Sequence, residues 1–504
     1  MGFYTLAIHT ENVIEIELKL LVPENAGDII KQQLLPTLEG AIEQSEVELS
    51  NDYFDTPERT LRKHDIGFRI RGCNGVLEQT LKTAGKISGG LHQRPEFNIP
   101  LDQPVAALSL FDRKVWPKTI DLVLLQARLS VIFSTRFTRQ IYLITFADGG
   151  VVELVWDTGE VVNNGQRENI CEIELELKRG KAELLFTMAK KIVALMPVRL
   201  GNASKAARGY ALSDGAKETA RVLPENIELA TNDTIETAFS KALEVGLAHW
   251  QHHEALFLVN ADAIALHNMY AGIELVFSAL TIYQPVLKCE RIAELSKKLE
   301  LWMSQWQWLT NYHAYSLFSS SNNVHCKTLA KSPQLVNLLR ERGDACVVSH
   351  QPKDILLSSN NVMLQLEIGE LLTTMPWRQV SDTYLSSLHC FAKQQSEQNQ
   401  KVIFDILSRQ QSLQSEDYIF HAKTIRNAAR LGCLLGAVAT IKYRQRCALW
   451  RELVVGSNEL ELWERLKSLI ATSNIDDKGS LLVWCSAKMS KLSSVMERSR
   501  QENY

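Results

Sequence analysis

The segment Glu15-Ile16-Glu17-Leu18-Lys19 alternates charged and apolar side chains without interruption. In a β-strand, successive side chains point to opposite faces, so this segment has one ionic face and one apolar face. Taken alone, the pattern is typical of an amphipathic edge strand whose charges lie in water. Its recurrence further along the chain favours a different interpretation.

Two other segments repeat this alternation, namely Glu172-Ile173-Glu174-Leu175-Glu176 and Phe68-Arg69-Ile70-Arg71. Three glutamates on one strand face repel one another unless cations or water weaken their field. Two arginines on one face lie about 7 Å apart, a spacing that suits neighbouring phosphates of a linear polyphosphate. Further charges with apolar neighbours are Lys82, Glu96 and either Arg136 or Arg139, which lie at opposite phases of one strand.

These strands do not suit a barrel with an ordinary apolar centre, because each gives one complete face to Glu, Lys or Arg. We therefore predict an α+β fold that begins with an antiparallel β-barrel whose lumen is charged. Helices at residues 26–38 and 181–195 would flank it and cover its apolar outer faces. Acidic residues in the lumen suit divalent cations, and basic residues suit a polyanion.

The hydrophobic period changes from strand-like to helical in the middle of the chain. We predict a barrel domain at residues 1–212, a linker at 213–233 and an all-α helical bundle at 234–504. Polar interruptions at 319–323 and 358–361 predict loops between helices of the bundle.

Composition excludes several classes of protein. The chain of 504 residues has 22% charged residues and a formal net charge of -3, so a strongly basic nucleic-acid-binding protein is not expected. The nine cysteines are odd in number and contain no Cys-x-x-Cys pair, which predicts free thiols in a reducing compartment. The N-terminus lacks the layout of a signal peptide, and the apolar run 431–441 is far shorter than the roughly 20 residues of a membrane span. We therefore expect a cytoplasmic protein that contacts neither membrane nor nucleic acid.

The charged strands carry a resemblance to a known family, the CYTH superfamily of triphosphate tunnel metalloenzymes. The similar motifs occur in the family's order over residues 1–212, and they are Glu15-x-Glu17-x-Lys19, Arg69-x-Arg71, Thr80-Leu81-Lys82, Arg94-Pro95-Glu96, Arg139-x-x-Tyr142, Trp156-Asp157 and Glu174-x-Glu176. The stretches 89–96 and 204–210 are similar to a bacterial subgroup in which a CHAD domain follows the CYTH domain. Members of that subgroup are inorganic triphosphatases.

The resemblance implies metal-dependent hydrolysis of inorganic tripolyphosphate to pyrophosphate and phosphate inside a tunnel. It implies phosphate-binding roles for Lys19, Arg69, Arg71, Lys82, Arg139 and Lys205. It implies that Mg²⁺ or Mn²⁺ binds to Glu15, Glu17, Asp157, Glu174 and Glu176, and an all-carboxylate set suits these ions. Among these residues, it implies catalytic roles for Lys82, Asp157 and Glu174. Which two of Glu172, Glu174 and Glu176 correspond to the family's pair stays open.

Two alternative functions remain at this point. One is an enzyme for an organic triphosphate, either a thiamine triphosphatase or an adenylate cyclase. The other is a non-enzymatic scaffold that binds polyphosphate.

The helical half has few signals of its own. It resembles a CHAD domain only weakly, because the segment 267–274 lacks the family's closely spaced arginines after the histidine. Contact with polyphosphate through a basic patch is a further prediction, and its residues are Arg426, Arg430, Lys442, Arg444 and Arg446. We expect His249, His252 and His253 to cap or pack rather than to bind metal. In the barrel half, Tyr53 is expected either to pack or to contact the substrate.

Overall fold

A computed structural model of the chain describes residues 13–88, 90–215, 218–408 and 412–503. Gly89, part of a motif quoted above, and the N-terminal residues used to assess a signal peptide lie outside the described residues. The chain forms two compact units. The first runs up to Glu218 and also includes Leu357–Thr374, and the second comprises Thr219–Leu356 and the chain from Met375 onward.

The first unit is built on an antiparallel sheet. Its strands are β1 (Val13–Leu21), β2 (Gly40–Asp55), β3 (Gly67–Cys73), β4 (Val76–Lys82), β5 (Lys86–Ser88), β6 (Leu91–Leu101), β7 (Ser130–Phe146), β8 (Val151–Asn163), β9 (Gln166–Arg179) and β10 (Arg199–Leu200). Eight of these described strands close a barrel in the order β1-β9-β8-β7-β2-β3-β4-β6, because β6 pairs back with β1. The predicted α+β fold with an N-terminal antiparallel barrel is confirmed.

The strand alternation sets which side chains enter the bore. β1 pairs with β9 so that Glu17 lies opposite Glu176 and Lys19 lies opposite Glu174. The intervening Leu18 and Leu20 face outward, where they are fully buried in an apolar cluster. Burial of this outer face against helices therefore stabilises the barrel and leaves the ionic face for the interior.

The helices of the whole chain, in order, are α1 (Ala26–Ile29), α2 (Thr60–Lys63), α3 (Leu122–Arg128), α4 (Glu183–Leu195), α5 (Lys205–Asp214), α6 (Ile235–Asn260), α7 (Ala263–Leu287), α8 (Glu290–Met303), α9 (Leu309–Ser319), α10 (Cys326–Leu329), α11 (Pro333–His350), α12 (Pro352–Leu357), α13 (Ser359–Thr374), α14 (Leu388–Leu407), α15 (Ser415–Leu435), α16 (Ile441–Thr472) and α17 (Lys478–Asn503). A π-helical turn (Ile30–Leu34) and a 3₁₀ turn (Leu35–Thr37) continue α1. The predicted helices at 26–38 and 181–195 and the all-helical second half are confirmed.

Helix α5 covers one end of the barrel. Ser204 caps its N-terminus by accepting a hydrogen bond from the Ala207 amide (3.1 Å). Tyr210 packs edge-to-face on Phe133 of β7 and joins a cluster with inward-facing side chains of β2, β7 and β8. Gly209 lies against the same ring, since a Cβ there would sit 2.0 Å from Phe133. The N-terminal residue of this helix, Lys205, thereby reaches the bore.

Helix α13 packs within the first unit although it is remote from the barrel in sequence. Val362 and Leu366 are buried in the same apolar cluster as α4. Lys190 of α4 also pairs with Glu370 (2.7 Å). The predicted break at 358–361 is present between α12 and α13 but is shorter than predicted, because only Ser358 separates the two helices. The predicted loop near 319–323 is confirmed between α9 and α10.

The second unit is a helical assembly in which α6 and α7 cross closely. Gly246 and Gly272 permit this contact, since a Cβ on Gly272 would lie 2.8 Å from the Trp250 amide nitrogen. Helix α7 has the length and apolar composition of a membrane span, with a mean hydropathy of 1.3 in its most apolar window. Core helices pass the same test, and 56% of that window is buried inside the protein.

Candidate active site

The bore of the barrel contains a cavity of about 700 Å³. Its lining includes ten of the eleven residues predicted for the site: Glu15, Glu17, Lys19, Arg69, Arg71, Lys82, Arg139, Glu174, Glu176 and Lys205. The eleventh, Asp157, is fully buried behind this surface. The strands therefore bring the predicted groups together around one cavity.

Near α5, six side chains form a dense ionic cluster that we call the inner network: Lys19, Arg139, Asp157, Glu172, Glu174 and Lys205. The ammonium of Lys205 lies 2.6 Å from Asp157, 2.5 Å from Glu172 and 2.9 Å from Glu174. Lys19 contacts Glu172 (3.2 Å) and pairs with Glu174. The two lysines thus share the glutamates of β9.

Arg139 completes the inner network from β7. Its Nε and Nη2 donate to the two oxygens of Asp157, at 2.7 Å each, and Nη2 also donates to Glu174 at 2.7 Å. This bidentate geometry follows from the register, because Arg139 lies directly opposite Asp157 on β8. Arg208 of α5 adds a bond to Glu172 (3.2 Å). Three carboxylates therefore face four cations.

The protonation equilibria of the inner network follow from this pairing. Burial opposes ionisation of Glu174, but Lys19, Lys205 and Arg139 hold its pKa well below the usual value. Burial is likewise outweighed at Asp157, whose pKa is lowered by Arg139 and Lys205. The inner carboxylates are therefore ionised and electrostatically compensated.

A second acidic group lies toward the other end of the bore, and we call it the outer carboxylates: Glu15, Glu17, Glu153 and Glu176. Glu176 lies opposite Glu17 on β1 and opposite Glu153 on β8. Lys178 contacts Glu176 (2.7 Å) and Glu153 (3.3 Å). Lys82 contacts Glu15 (2.5 Å) and also Glu96 (2.8 Å).

The outer carboxylates are less well compensated than the inner ones. Burial raises the pKa of Glu15 well above its usual value, and the charges of Glu96, Glu17 and Glu176 add to the effect while Lys82 opposes it. Burial also raises the pKa of Glu176, with Lys178 opposing and Glu153 adding. At Glu96, burial is outweighed by Lys82 and Arg69, which lower its pKa, so this carboxylate stays ionised beside Glu15.

The crowding of the outer carboxylates fits a divalent cation. Four acidic groups, Glu15, Glu96, Glu153 and Glu176, share the cations Lys82, Lys178 and Arg69, and Glu17 adds a fifth carboxylate opposite Glu176. Carboxylate oxygens are the ligands that Mg²⁺ and Mn²⁺ prefer. Ligand atoms of Asp157, Glu172 and Glu174 also lie within 4.8 Å of one another. Among the described residues, that trio is the set whose ligand atoms converge, but cations of the chain already neutralise it, whereas the outer group has more acids than cations.

Arg69 and Arg71 form the cationic wall on β3. Arg69 pairs with Glu96 (3.7 Å) and donates to the hydroxyl of Tyr53 (3.4 Å). Arg71 donates through Nε to Asn51 (2.8 Å). Burial, together with repulsion from Arg69 and Arg139, lowers the pKa of Arg71 to about 10, so it stays protonated at neutral pH.

The sequence left open whether Arg136 or Arg139 faces the bore, and whether Tyr53 packs or contacts the substrate. Arg139 lines the cavity, whereas Arg136 is exposed on the outer face. Tyr53 stacks on Phe133 with ring centroids 4.6 Å apart and also lines the cavity beside Arg69. Packing and access to the bore are therefore compatible for this tyrosine.

Several residues of the bore were not foreseen. Glu153 shares strand phase with Asp157, and this common phase was a signal that could have revealed it. His92 lines the cavity and bonds through Nε2 to the Gly201 carbonyl (3.0 Å), and Asn51 contacts Arg71. Neither residue belongs to a charged alternation, so the strand pattern gave no signal for them.

In the helical unit, the observed contacts agree with capping and packing. His253 accepts a hydrogen bond through Nε2 from the Arg221 amide (3.1 Å). Arg426 pairs with Glu461 (3.0 Å), and Arg430 pairs with Glu274. Two arginines of the predicted basic patch are therefore neutralised by acids of the same unit. All nine cysteines are free, which confirms the expectation of unpaired thiols.

A closed antiparallel barrel whose bore holds opposed cations and carboxylates defines an ionic tunnel protein. Residues 13–210, which include the whole barrel, match the model of the CYTH domain, so this part of the chain is similar to that family. An inorganic triphosphatase from Haemophilus influenzae is 35% identical over 210 residues, which cover 41% of this chain and 57% of that protein. The chain thus spans little more than half the length of this curated relative.

Two solved structures are similar to parts of the chain. The inorganic triphosphatase NE1496 is 18% identical and covers 39% of this chain and 95% of its own, with a TM-score of 0.17. The CHAD domain from the plant Ricinus communis is 17% identical and covers 56% of this chain and 96% of its own, with a TM-score of 0.41. At such low scores neither likeness bears on function.

Proposed function

We propose that the tunnel hydrolyses inorganic tripolyphosphate to pyrophosphate and phosphate with the help of a divalent cation. The observation that carries the proposal is the convergence, in one bore, of a cationic wall suited to phosphates and a crowded acidic group suited to a metal. The CYTH domain and the relative from Haemophilus influenzae, described as an inorganic triphosphatase, support the same reaction.

Six cations are proposed to bind the phosphate chain: Lys19, Arg69, Arg71, Lys82, Arg139 and Lys205. Guanidinium groups bind phosphate oxygens bidentately and remain charged when buried. Lys19, Lys205 and Arg139 are held in place by the inner carboxylates, so their positions are fixed before substrate arrives. Such preorganised charges stabilise a developing negative charge without reorganisation.

We propose that Glu15, Glu17 and Glu176 hold Mg²⁺ or Mn²⁺. When bound, this ion would polarise phosphoryl oxygens and offset the charge of the polyphosphate. The family resemblance also implies metal-binding and catalytic roles for Asp157 and Glu174. Their contacts support a different role for them, namely holding Arg139 and Lys205 toward the phosphate chain.

Lys82 is proposed to act between these two sets of groups. Its ammonium lies between Glu15 and Glu96, and these carboxylates outweigh the opposing effect of burial and raise its pKa. The charge is therefore kept at neutral pH next to the proposed metal ligands. It can then offset negative charge on a leaving phosphate.

The test is metal-dependent phosphate release by the full chain. Tripolyphosphate, thiamine triphosphate and ATP are compared side by side with Mg²⁺, with Mn²⁺ and with EDTA. We expect preferred turnover of tripolyphosphate and loss of turnover in EDTA. Absence of metal-dependent phosphate release from tripolyphosphate would refute the proposal, and preference for an organic triphosphate would redirect it.

The variant Glu174→Gln tests the inner network in this reaction. Loss of the Glu174 carboxylate leaves Lys19, Lys205 and Arg139 without the anion that they share. We therefore expect kcat to fall by roughly 100-fold or more. Glu160→Gln is the matched control, because Glu160 pairs with the exposed Arg167 outside the bore. Equal turnover of the Glu174 variant and the control would remove Glu174 from the mechanism.

For the second unit, we propose a CHAD-like helical domain with weak affinity for polyphosphate, in a cytoplasmic protein. Glu461 and Glu274 neutralise Arg426 and Arg430, which reduces the charge available to a polymer. Binding of long-chain polyphosphate by the full chain should therefore change little in Arg426→Gln. A large loss of binding would instead indicate a real docking surface.

A further inference from the structure

One of the six proposed phosphate-binding cations differs from the others in its partners. Lys19, Arg139 and Lys205 pair with the inner carboxylates, Lys82 pairs with Glu15 and Glu96, and Arg69 pairs with Glu96. Arg71 makes no ion pair with any residue that the structure describes. Its contact is with an uncharged amide, the side chain of Asn51.

Asn51 is held rigidly in position. It is 1% exposed, and its Oδ1 accepts the bond from Arg71 Nε at 2.8 Å. Its Nδ2 donates at 3.0 Å to the hydroxyl of Thr135, a residue that is fully buried. The strand registers explain this row, because Asn51 lies directly opposite Arg71 on one side and Thr135 on the other. Both ends of the amide are therefore fixed by neighbouring strands.

The choice of an amide has an electrostatic consequence. An aspartate has nearly the same shape as asparagine, but at this position it would form an ion pair with the guanidinium. The uncharged amide orients Arg71 without adding a counter-charge. Two acids act on Arg71 from a distance, Glu78 opposite it on β4 and Glu96, and neither forms an ion pair with it. A buried cation without a close ion pair is unfavourable, and a phosphate that enters the bore relieves that cost.

We propose that Asn51, oriented by Thr135, is a positioning residue that keeps Arg71 free of an ion pair and makes it a principal seat for a phosphate group. This inference rests on the proposed function, because it requires a polyphosphate in the bore. It differs from the family resemblance in assigning a specific role to two neutral side chains.

The experiment compares Asn51→Asp with the wild-type chain. Binding of tripolyphosphate is measured by calorimetry in EDTA, together with steady-state kinetics and thermal unfolding. We expect binding to weaken roughly tenfold or more, because one unit charge is cancelled within a few ångströms of the ligand. KM should rise while kcat changes by less than about threefold, as for loss of uniform binding.

Thermal unfolding separates this role from a merely structural one. The new ion pair should leave the unfolding temperature of Asn51→Asp unchanged or higher, whereas a packing defect would lower it. Asn164→Asp is the matched control, because it adds the same charge at an exposed turn position that tolerates aspartate. It should match the wild type in all three measurements.

If Asn51→Asp does not fold, a second pair of variants tests whether Arg71 is a principal phosphate-binding residue. Arg71→Gln should weaken tripolyphosphate binding more than Arg69→Gln, because Glu96 already offsets the charge of Arg69. Wild-type binding by Asn51→Asp, or an equal or larger loss in Arg69→Gln, overturns the inference. A wild-type chain that neither binds nor hydrolyses tripolyphosphate would instead refute the proposed function itself.

Discussion

Strand β9 carries three inward glutamates, yet they occupy two different environments. Glu172 and Glu174 lie in the inner network, where cations outweigh burial and lower the pKa of each carboxyl. Glu176 lies among the outer carboxylates, where burial and neighbouring acids raise its pKa despite Lys178. Identical residues on one face of one strand therefore differ in charge compensation because of their neighbours.

The difference indicates how the tunnel divides its tasks. The inner network is complete without any ligand, since its carboxylates already hold Lys19, Lys205 and Arg139. The outer carboxylates repel one another and gain most from an added cation. We therefore expect variants of the inner network to affect the free protein, and variants of the outer group to affect its response to metal.

The largest effect is expected for Lys205→Met. Lys205 is 7% exposed and contacts three carboxylates, so its loss leaves buried anions with one cation fewer. Removal of one partner from a buried ionic cluster costs about 3–5 kcal/mol. The free energy of unfolding of the metal-free full chain, measured by denaturant titration, should fall by this amount.

Lys178→Met is the matched control for this prediction. Lys178 also bridges two glutamates, but its side chain is 38% exposed, so water screens the pair. Its removal should cost less than about 1 kcal/mol. Equal destabilisation by the two variants would contradict the division between inner and outer groups.

The next effect concerns Glu176→Gln and the response to metal. A ligand at 100 times its dissociation constant stabilises the folded state by about 2.7 kcal/mol. We expect Mn²⁺ to stabilise the wild-type protein by about this amount. In Glu176→Gln, most of this stabilisation by Mn²⁺ should be absent. Thermal unfolding with and without Mn²⁺ measures the difference, with no need for substrate.

Glu160→Gln again provides the control, because it removes a carboxylate from the outside of the same barrel. It should keep the full metal response. If Glu174→Gln lost the metal response and Glu176→Gln kept it, the metal would belong to the inner network, and our assignment of the outer group would be wrong.

Much of the barrel could be predicted from the sequence because strand alternation is a local signal. The ionic face of Glu15, Glu17 and Lys19 and the apolar face of Leu18 and its neighbours are both readable within nine residues. The charged lumen follows once several strands share this pattern. The residue types also indicate the ligands, since carboxylates suit hard cations and guanidinium groups suit phosphates.

The pairing inside the bore could not be predicted, because it depends on contacts between remote segments. Lys19 and Glu172 are 153 residues apart, and Asn51 and Thr135 are 84 residues apart. Helix α13 is a similar case, since its packing on α4 depends on the tertiary fold of the first unit. A polar segment at 358–361 therefore predicted a longer loop than the one-residue break at Ser358.

The smallest expected effect is the pH-dependent change in unfolding free energy caused by Glu15→Gln. Its sign distinguishes the outer carboxylates from the inner ones. Burial and the nearby acids raise the folded-state pKa of Glu15, so its protonated form favours folding. The stability linked to Glu15 is fully present below the unfolded pKa of about 4.3 and is lost as pH rises through the raised folded value. Glutamine carries no charge, so Glu15→Gln avoids this loss.

We therefore expect Glu15→Gln to raise the unfolding free energy of the metal-free chain by about 1 kcal/mol at pH 8 and to leave it unchanged at pH 4. Glu174→Gln should show the opposite sign, because cations lower the folded pKa of Glu174 and its ionised form stabilises the fold above the unfolded pKa. Denaturant titrations of metal-free protein at both pH values measure these changes. Destabilisation by both variants at pH 8 would show that the outer carboxylates are compensated as fully as the inner ones, and the case for a metal at Glu15 would lose its physical basis.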